Sequence, residues 1–558
     1  MSATDRDGGA GAIGAINRAF GAFAGWCFDH RWIALAATAA FVAASLWLAG
    51  RARIDNSYEA FFAVGDPTYR NYVTYREDFG SDEISFLMYE APDTADGVFD
   101  LDVMRRIADL TRAIEEEVPF IYMAVYSAVG VVLAFALTMT LVPALVSFGP
   151  RTPSARNAAR DSAHGGAWLL RGLRAVAAWN VRHRRAVLVG FAATAVLSMI
   201  GIARLRVDSN WLDDFSDRVP LKAATSRIDQ VMGGMANLVY VFDTGAEDGI
   251  RDPAVLRAIE SLQREAERDP LVRKAYSIAD IVKDLNQSFH DGDPAYYAIP
   301  DSRELVSQLL LLYETSGGDQ VEEWATTDFA RANLELRLGI APVSHTARLV
   351  ENLGRYLAAH PTPGIEVKLT GIGALWLELL HYIVASEIES FLFAFALIGA
   401  MMCFIFRSFR TGLLSMVPNV WPILLTLGGM GWSGIPLDYN KVMIATVAMG
   451  IAVDDTIHFV SRYHHEFEES GSYAEALAAA MTDVGHAVFV TSLVLVLGFL
   501  VNLFSVLDAA AQSGVLLAAT IATALLADLL LTPALVLTLE PFGPEGEHAR
   551  RAELAVAA

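Results

Sequence analysis

The chain has 558 residues, 54% of them hydrophobic, with a mean hydropathy of +0.37 and a formal net charge of -22. So apolar a composition excludes an ordinary soluble protein and implies a polytopic α-helical membrane protein with a sizeable polar part. The acidic balance argues against nucleic acid as a partner, and Cys27 and Cys403, both in or beside apolar segments, imply neither a disulfide framework nor a cysteine metal site.

Residues 1–31 are read as a cytoplasmic N-terminus whose stretch 13–28 spaces Phe20, Phe23 and Trp26 on one face, the pattern of a helix lying in the membrane interface. The first apolar run, 32–50, lacks a clear small-residue cleavage site and reads as a retained anchor. A polar segment, 51–120, leads to a second run at 121–147 and then to a linker, 148–185. That linker carries Arg151, Arg156, Arg160, Arg171, Arg174, Arg182, Arg184 and Arg185 against Asp161 alone, so it is expected in the cytoplasm. Within it, Leu173, Val176 and Trp179 repeat the interfacial pattern over 168–181. A third run at 186–205 precedes a long polar segment, 206–380, and a five-helix bundle follows over 384–540, with runs at 384–406, 411–431, 441–461, 486–506 and 510–539. Eight runs are therefore long enough to cross about 30 Å of hydrocarbon. An even count places both termini, including the tail 541–558, in the cytoplasm and 206–380 outside it. There, strand-like Leu238–Phe242, Ala332–Leu338 and Ile365–Leu369 alternate with helical stretches at Val255–Glu267, 302–315 and 344–359, which predicts an α/β sandwich.

The chain also repeats itself. Trp26-Cys-Phe-Asp-His-Arg31 matches Trp179-Asn-Val-Arg-His-Arg184, and Arg53-Ile-Asp-Asn56 matches Arg206-Val-Asp-Ser209, both at a shift of 153 residues. Pro67 and Pro220, Gly80 and Gly233, and the strand-like Ile84–Tyr89 and Asn237–Phe242 hold the same register without a gap. Near residue 120 the register breaks, and Leu141-Val-Pro-Ala-Leu-Val146 then matches Leu531-Thr-Pro-Ala-Leu-Val536 at a shift of 390. The first copy thus lacks the 237 residues by which the two shifts differ, a block equal to most of a polar domain and four spans.

The candidate chemistry lies in the run 441–461. Asp454 and Asp455 interrupt an apolar helix, and a carboxylate at the centre of a bilayer helix costs about 2.5–3.5 kcal/mol, so such acids are retained for function or as hydrogen-bonded packing elements. Gly450 sits one turn before Asp454 on the same face, a spacing that lets a neighbouring helix approach. His458 follows at i+4 from Asp454 and i+3 from Asp455, where an imidazole could hand protons toward the cytoplasmic end near His464 and His465, or simply pack. Neither arginine nor lysine lies mid-membrane to hold both aspartates ionised. Asp528, Thr491, Ser492 and Asn502 are accessory candidates that serve equally well as polar contacts between helices. Phosphate-binding loops, nucleophile elbows and His-Glu-x-x-His pairs are lacking, so an enzyme or ATP-driven pump is not expected. His290-Asp-Gly-Asp293 reads as a surface turn, and no metal site is expected.

Ser408-Phe-Arg-Thr-Gly-Leu, Pro418-Asn419, Gly434-Ile-Pro-Leu-Asp438 and Gly450-Ile-Ala-Val-Asp-Asp-Thr-Ile-His-Phe459 together closely resemble the resistance-nodulation-division (RND) superfamily, in its MMPL and Patched-like branch, whose membrane half is related to sterol-sensing domains. The resemblance implies two six-span halves, each with an extracytoplasmic porter domain, and intramembrane acids that couple proton flow to export of lipids or other hydrophobic compounds. It implies that Gly450, Asp454 and Asp455 are the proton-relay motif, that 206–380 is a porter domain and 51–120 a shortened one, and that the proton gradient, not a cofactor, drives transport. The implied partners are membrane lipids, a lipid-like substrate, and a homo-oligomer or RND partner chain replacing the shortened half. The implied location is a bacterial inner membrane. A second reading remains open: a non-transporting remnant or partner subunit that binds lipid or completes another bundle.

Overall fold

The computed structural model describes residues 12–49, 66–80, 123–148, 167–315 and 319–545. The strand-like Ile84–Tyr89, most of the shortened polar segment and the central part of the arginine-rich linker lie outside the described residues. The chain divides into two compact units, one of residues 1–62 and 89–167, the other of residues 63–88 and 168–558.

The smaller unit contains α1 (Ala12–Asp29) and α2 (Arg31–Ala49). With α3 (Pro67–Phe79) assigned to the larger unit, its third helix is α4 (Met123–Val146). Phe20 meets Phe135 edge to face at 5.4 Å, and Cys27, Ala34 and Ala144 form a small buried cluster. Arg31 Nη1 donates to the Ser147 carbonyl at 3.1 Å, while its guanidinium lies over the Phe148 ring.

In the larger unit α3 is followed by α5 (Ala167–Ile202), which bends at His183, the boundary between the amphipathic stretch and the third apolar run. After α6 (Pro220–Met232) comes an α/β domain: β1 (Ala236–Asp243), α7 (Pro253–Ala266), β2 (Val272–Ser277), α8 (Ile278–Phe289), α9 (Arg303–Thr315), β3 (Arg331–Leu338), α10 (Val343–Ala359) and β4 (Glu366–Thr370). The four strands run in the order β2-β3-β1-β4, each antiparallel to its neighbour. Two split β-α-β units produce this order, the ferredoxin-like arrangement, here with α8 and α9 inserted between β2 and β3. Leu238, Tyr240 and Phe242 of β1 pair with Leu336, Leu334 and Ala332 of β3, and with Leu256, Ile259 and Leu262 of α7 they form the domain core. Burial of the Tyr240 side chain pushes its hydroxyl well above the ordinary range.

The three expected strands and three expected helices are present, and β2 and α8 are added to them. The membrane bundle then follows as α11 (Ile372–Ile405), α12 (Phe409–Ser433), α13 (Ile444–Ser470), α14 (Tyr473–Asp483), α15 (Gly485–Leu500), α16 (Asp508–Leu526), a five-residue π turn (Ala527–Leu531) and α17 (Thr532–Leu539). Six helical segments among the described residues are long and apolar enough to cross a membrane: Trp168–Ile202, Ile372–Ile405, Phe409–Ser433, Ile444–Ser470, Gly485–Phe504 and Asp508–Leu539. The first two of the eight expected spans fall on α2 and α4, whose described apolar stretches, Arg31–Ala43 and Ala134–Val146, are shorter.

Small residues set how closely these helices pack. A Cβ on Gly201 would stand 2.2 Å from the Gly428 carbonyl oxygen, and one on Gly431 would stand 1.9 Å from that of Gly201, so α5 and α12 touch backbone to backbone. Trp432 Nε1 donates to the Leu197 carbonyl across the same contact. The α/β domain is stitched to the bundle through residues 206–216: Leu437 N donates to Arg206 O, Asp208 N to Leu437 O, and Ser216 N to Val506 O. On the far side, Asp66 accepts from two backbone N–H groups at the start of α3 and from Tyr382 of α11, and Asp78 pairs with Arg331 of β3.

The repeat seen in the sequence is also a repeat of structure. α3 and α6 have the same length, begin at Pro67 and Pro220, and end on Gly80 and Gly233. The Arg31 to Ser147 bond has a counterpart in Arg184 Nη1, which donates to the Leu537 carbonyl at 2.7 Å. Donor and acceptor positions correspond at the shifts of 153 and 390. His30 and His183 likewise stack on Trp26 and Trp179.

Candidate functional site

The site is built on α13, whose apolar face (Met449, Ala452, Val453, Phe459 and Val460) turns into the bundle. Helical spacing then puts the polar residues on two sides. Asp455 and Thr456 face neighbouring spans, whereas Gly450, Asp454 and His458, spaced four apart, form an exposed stripe.

Asp455 is half-buried, and Ser492 of α15, 1% exposed, donates its hydroxyl to Asp455 Oδ2 at 3.2 Å. Thr456 is fully buried. Its Oγ1 lies 2.7 Å from Asp528 Oδ1 and 2.9 Å from Asn419 Oδ1, joining α13 to the π turn and to α12. The Asn419 amide is oriented by Nδ2, which donates to the Ser415 carbonyl at 2.9 Å, so its oxygen is the atom facing Thr456. One hydroxyl hydrogen cannot serve both Asn419 and Asp528. A proton on Asp528, donated to Thr456 Oγ1, completes the chain Asp528 to Thr456 to Asn419; removing it leaves one acceptor facing another.

Asp528 owes its place to an irregularity in the last span. The π turn over Ala527–Leu531 turns the carboxylate into the bundle, where it is 2% exposed. Pro533 follows, and its missing N–H would leave the Leu529 carbonyl, four residues back, without a helical donor. Asn180 of α5 fills the gap: its side chain is fully buried and Nδ2 donates to Leu529 O at 2.9 Å.

The remaining candidates are placed as follows. His458 Nε2 is 3.6 Å from Asp454 Oδ1, with side chains 68% and 76% exposed. A Cβ on Gly450 would meet nothing within 4 Å, so no described helix approaches it. Thr491 is exposed and bonds back to its own helix at Ala487 and Val488. Asn502 is exposed in the 3-10 turn after α15, against Gly514. His464 and His465 face Glu468 and Glu469 one turn on. His290 stacks on Tyr296 in a turn with positive φ at Asp291 and Gly292, and no group of metal-ligand residues occurs among the described residues.

Outside the membrane helices, a second polar cluster closes the mouth of the bundle. Asp438 and Lys441 form a buried ion pair, and Tyr439 donates to Asp214. Burial pushes the Asp214 carboxyl up, with the Tyr439 hydrogen bond opposing the shift; burial also pushes the Tyr439 hydroxyl up.

The sequence profile of the MMPL family matches residues 219–555, which spans the α/β domain, helices α11 to α17 and the aspartates, Thr456, Asn419 and Ser492 of the site, but not Asn180. The chain belongs to the MMPL family. MMPL proteins are RND-type membrane transporters. A curated relative, "Putative membrane protein MJ1562" of Methanocaldococcus jannaschii, is 25% identical over 306 residues, covering 52% of this chain and 72% of the relative.

In this MMPL chain the sequence pattern pointed to the aspartates, but it passed over Thr456, Asn419 and Asn180. Thr456 follows the aspartate pair directly, and a hydroxyl in so apolar a run is itself a signal. Asn180 could have been found from the repeat, because it replaces Cys27 at a position where Pro533 leaves a carbonyl in need of a donor.

Proposed function

We propose that this protein exports a lipid or other hydrophobic compound across or out of a bacterial inner membrane, driven by the proton-motive force. Asp454, Asp455 and His458 form the proton relay, Gly450 leaves room beside it for a helix from outside the described residues, and Ser492 and Asp528 support it. Eight spans, cytoplasmic termini and an extracytoplasmic porter-like domain over 206–380 complete the reading.

One observation carries it: two carboxylates inside the spans are held by hydroxyls of neighbouring helices, Asp455 by Ser492 and Asp528 by Thr456, and the Thr456 hydroxyl can bond to Asp528 and Asn419 together only when Asp528 carries a proton. A protonation change there alters which helices are bonded together, which is what coupling a proton to a helix movement requires. Membership of a transporter family supports the same conclusion.

The open stripe of Gly450, Asp454 and His458 favours a second reading, in which the chain completes a bundle with a partner chain or a second copy and does not transport alone. The test is efflux of a hydrophobic fluorophore from vesicles bearing a pH gradient. The reading predicts gradient-dependent efflux that Asp454→Asn with Asp455→Asn abolishes. Equal efflux from both proteins removes the relay assignment, and efflux from neither favours the partner-subunit reading.

A further inference from the structure

Where the α/β domain meets the bundle, a cavity of about 660 Å³ opens between residues 207–209, α10, the first turns of α11 and the loop 437–439. Its volume falls in the range of pockets that hold drug-sized ligands, about 300–1,000 Å³. Val207, Val350, Leu377, Leu380, Val384 and Leu437 supply apolar walls. The cavity continues down α11 to Ile388, which is 54% exposed within a membrane-spanning helix, so an amphiphile in the bilayer can reach it sideways.

The charge of the lining is one-sided. Four carboxylates, Asp208, Glu351, Glu378 and Asp438, border the cavity, with neither lysine nor arginine among the lining residues. Two are already engaged: Asp208 accepts from Ser344 N and Oγ, and Asp438 is paired with the buried Lys441. Glu351 is solvated and stands 3.9 Å from Arg355. Glu378 is half-buried and makes no hydrogen bond or ion pair with a described residue. His381, one turn later, is the lining residue that could oppose it. Beside these, Ser209 is 6% exposed, lines the cavity, and leaves its Oγ without a hydrogen-bond partner. An apolar chamber with one uncompensated carboxylate and one unsatisfied hydroxyl oxygen suits a ligand with an apolar body and a single positive charge. Against an anion the carboxylates repel.

We propose that this cavity is a binding site for lipophilic cations, with Glu378 as the charge partner and Ser209 as a dipole facing the cationic centre. This names a substrate class for the transport reading, yet binding is measured without a gradient and so stands or falls separately.

The test uses two ions of nearly identical shape and opposite charge, tetraphenylphosphonium and tetraphenylborate. Binding of each radiolabelled ion to the full chain in zwitterionic lipid nanodiscs is measured at pH 8, where imidazoles are neutral, with empty nanodiscs subtracted. Saturable phosphonium binding at one per chain is expected, with no saturable borate binding. Glu378→Gln weakens phosphonium binding by ~10-fold or more, the scale of losing a close charge partner. Ala347→Trp, which fills the cavity, abolishes it; Val350→Phe narrows the same wall one turn on and replaces that test if the tryptophan variant fails to fold. Glu351→Gln and Asp455→Asn bind as the wild type does. Equal binding of the borate, no saturable phosphonium binding, or wild-type affinity in both Glu378→Gln and the cavity-filling variant overturns the proposal. Phosphonium binding that survives in an Asp455→Asn protein unable to transport separates this site from the relay.

Discussion

The two sides of α13 carry similar residues in opposite surroundings. On one side Thr456 and Asp455 reach Asp528, Asn419 and Ser492, and apart from the half-buried Asp455 every member is buried. On the other side Asp454 and His458 stand 3.6 Å apart and mostly exposed, with no hydrogen bond to a neighbouring helix among the described residues. An uncovered carboxylate in a spanning helix costs about 2.5–3.5 kcal/mol, whereas one bonded to neighbouring hydroxyls is partly compensated. The contrast teaches that a shared motif does not make equal sites: the first aspartate of the pair waits for a covering surface, while the second already has one.

The largest effect should come from the covered side. Asp455→Asn and, separately, Asp528→Asn should each eliminate the gradient-dependent part of efflux from vesicles while leaving the protein in the membrane at normal yield. Next comes Thr456→Val, which keeps volume but removes the hydroxyl that joins Asn419 to Asp528. It should destabilise the bundle by ~1–3 kcal/mol, the cost of stranding buried acceptors, read from thermal unfolding in detergent. Asn180→Ala should cost a similar ~1–3 kcal/mol by orphaning the Leu529 carbonyl. Cys27→Ala, at the matching position of the first copy, should cost less than ~1 kcal/mol because no hydrogen bond is lost. The smallest effect belongs to the open stripe: His458→Gln should leave stability unchanged within ~0.5 kcal/mol, since it removes only an exposed pair.

Much of this was legible in the sequence, for definite reasons. Long apolar runs announce spans by length alone, and a gapless repeat survives as structure because matched residues do matched work. Arg31 and Arg184 each tie off the end of a helix that closes its own copy. β2 was missed because Val272–Ser277 holds Arg273 and Lys274 in succession and carries a register shift between Val272 and Lys274, which breaks the alternation a half-buried strand displays. The role of Thr456 was hidden for another reason. It depends on atoms 37 and 72 residues away, and helix spacing orients a residue on its own helix without saying what stands opposite.

The central claim is that protons pass through the covered side of α13. Substrate-dependent proton uptake into vesicles holding a pH-sensitive dye tests it most directly, with the wild type and Asp455→Asn compared at equal protein density. The account predicts proton uptake that rises with added hydrophobic substrate in the wild type and is absent in Asp455→Asn. Uptake of the same size in both proteins would contradict it.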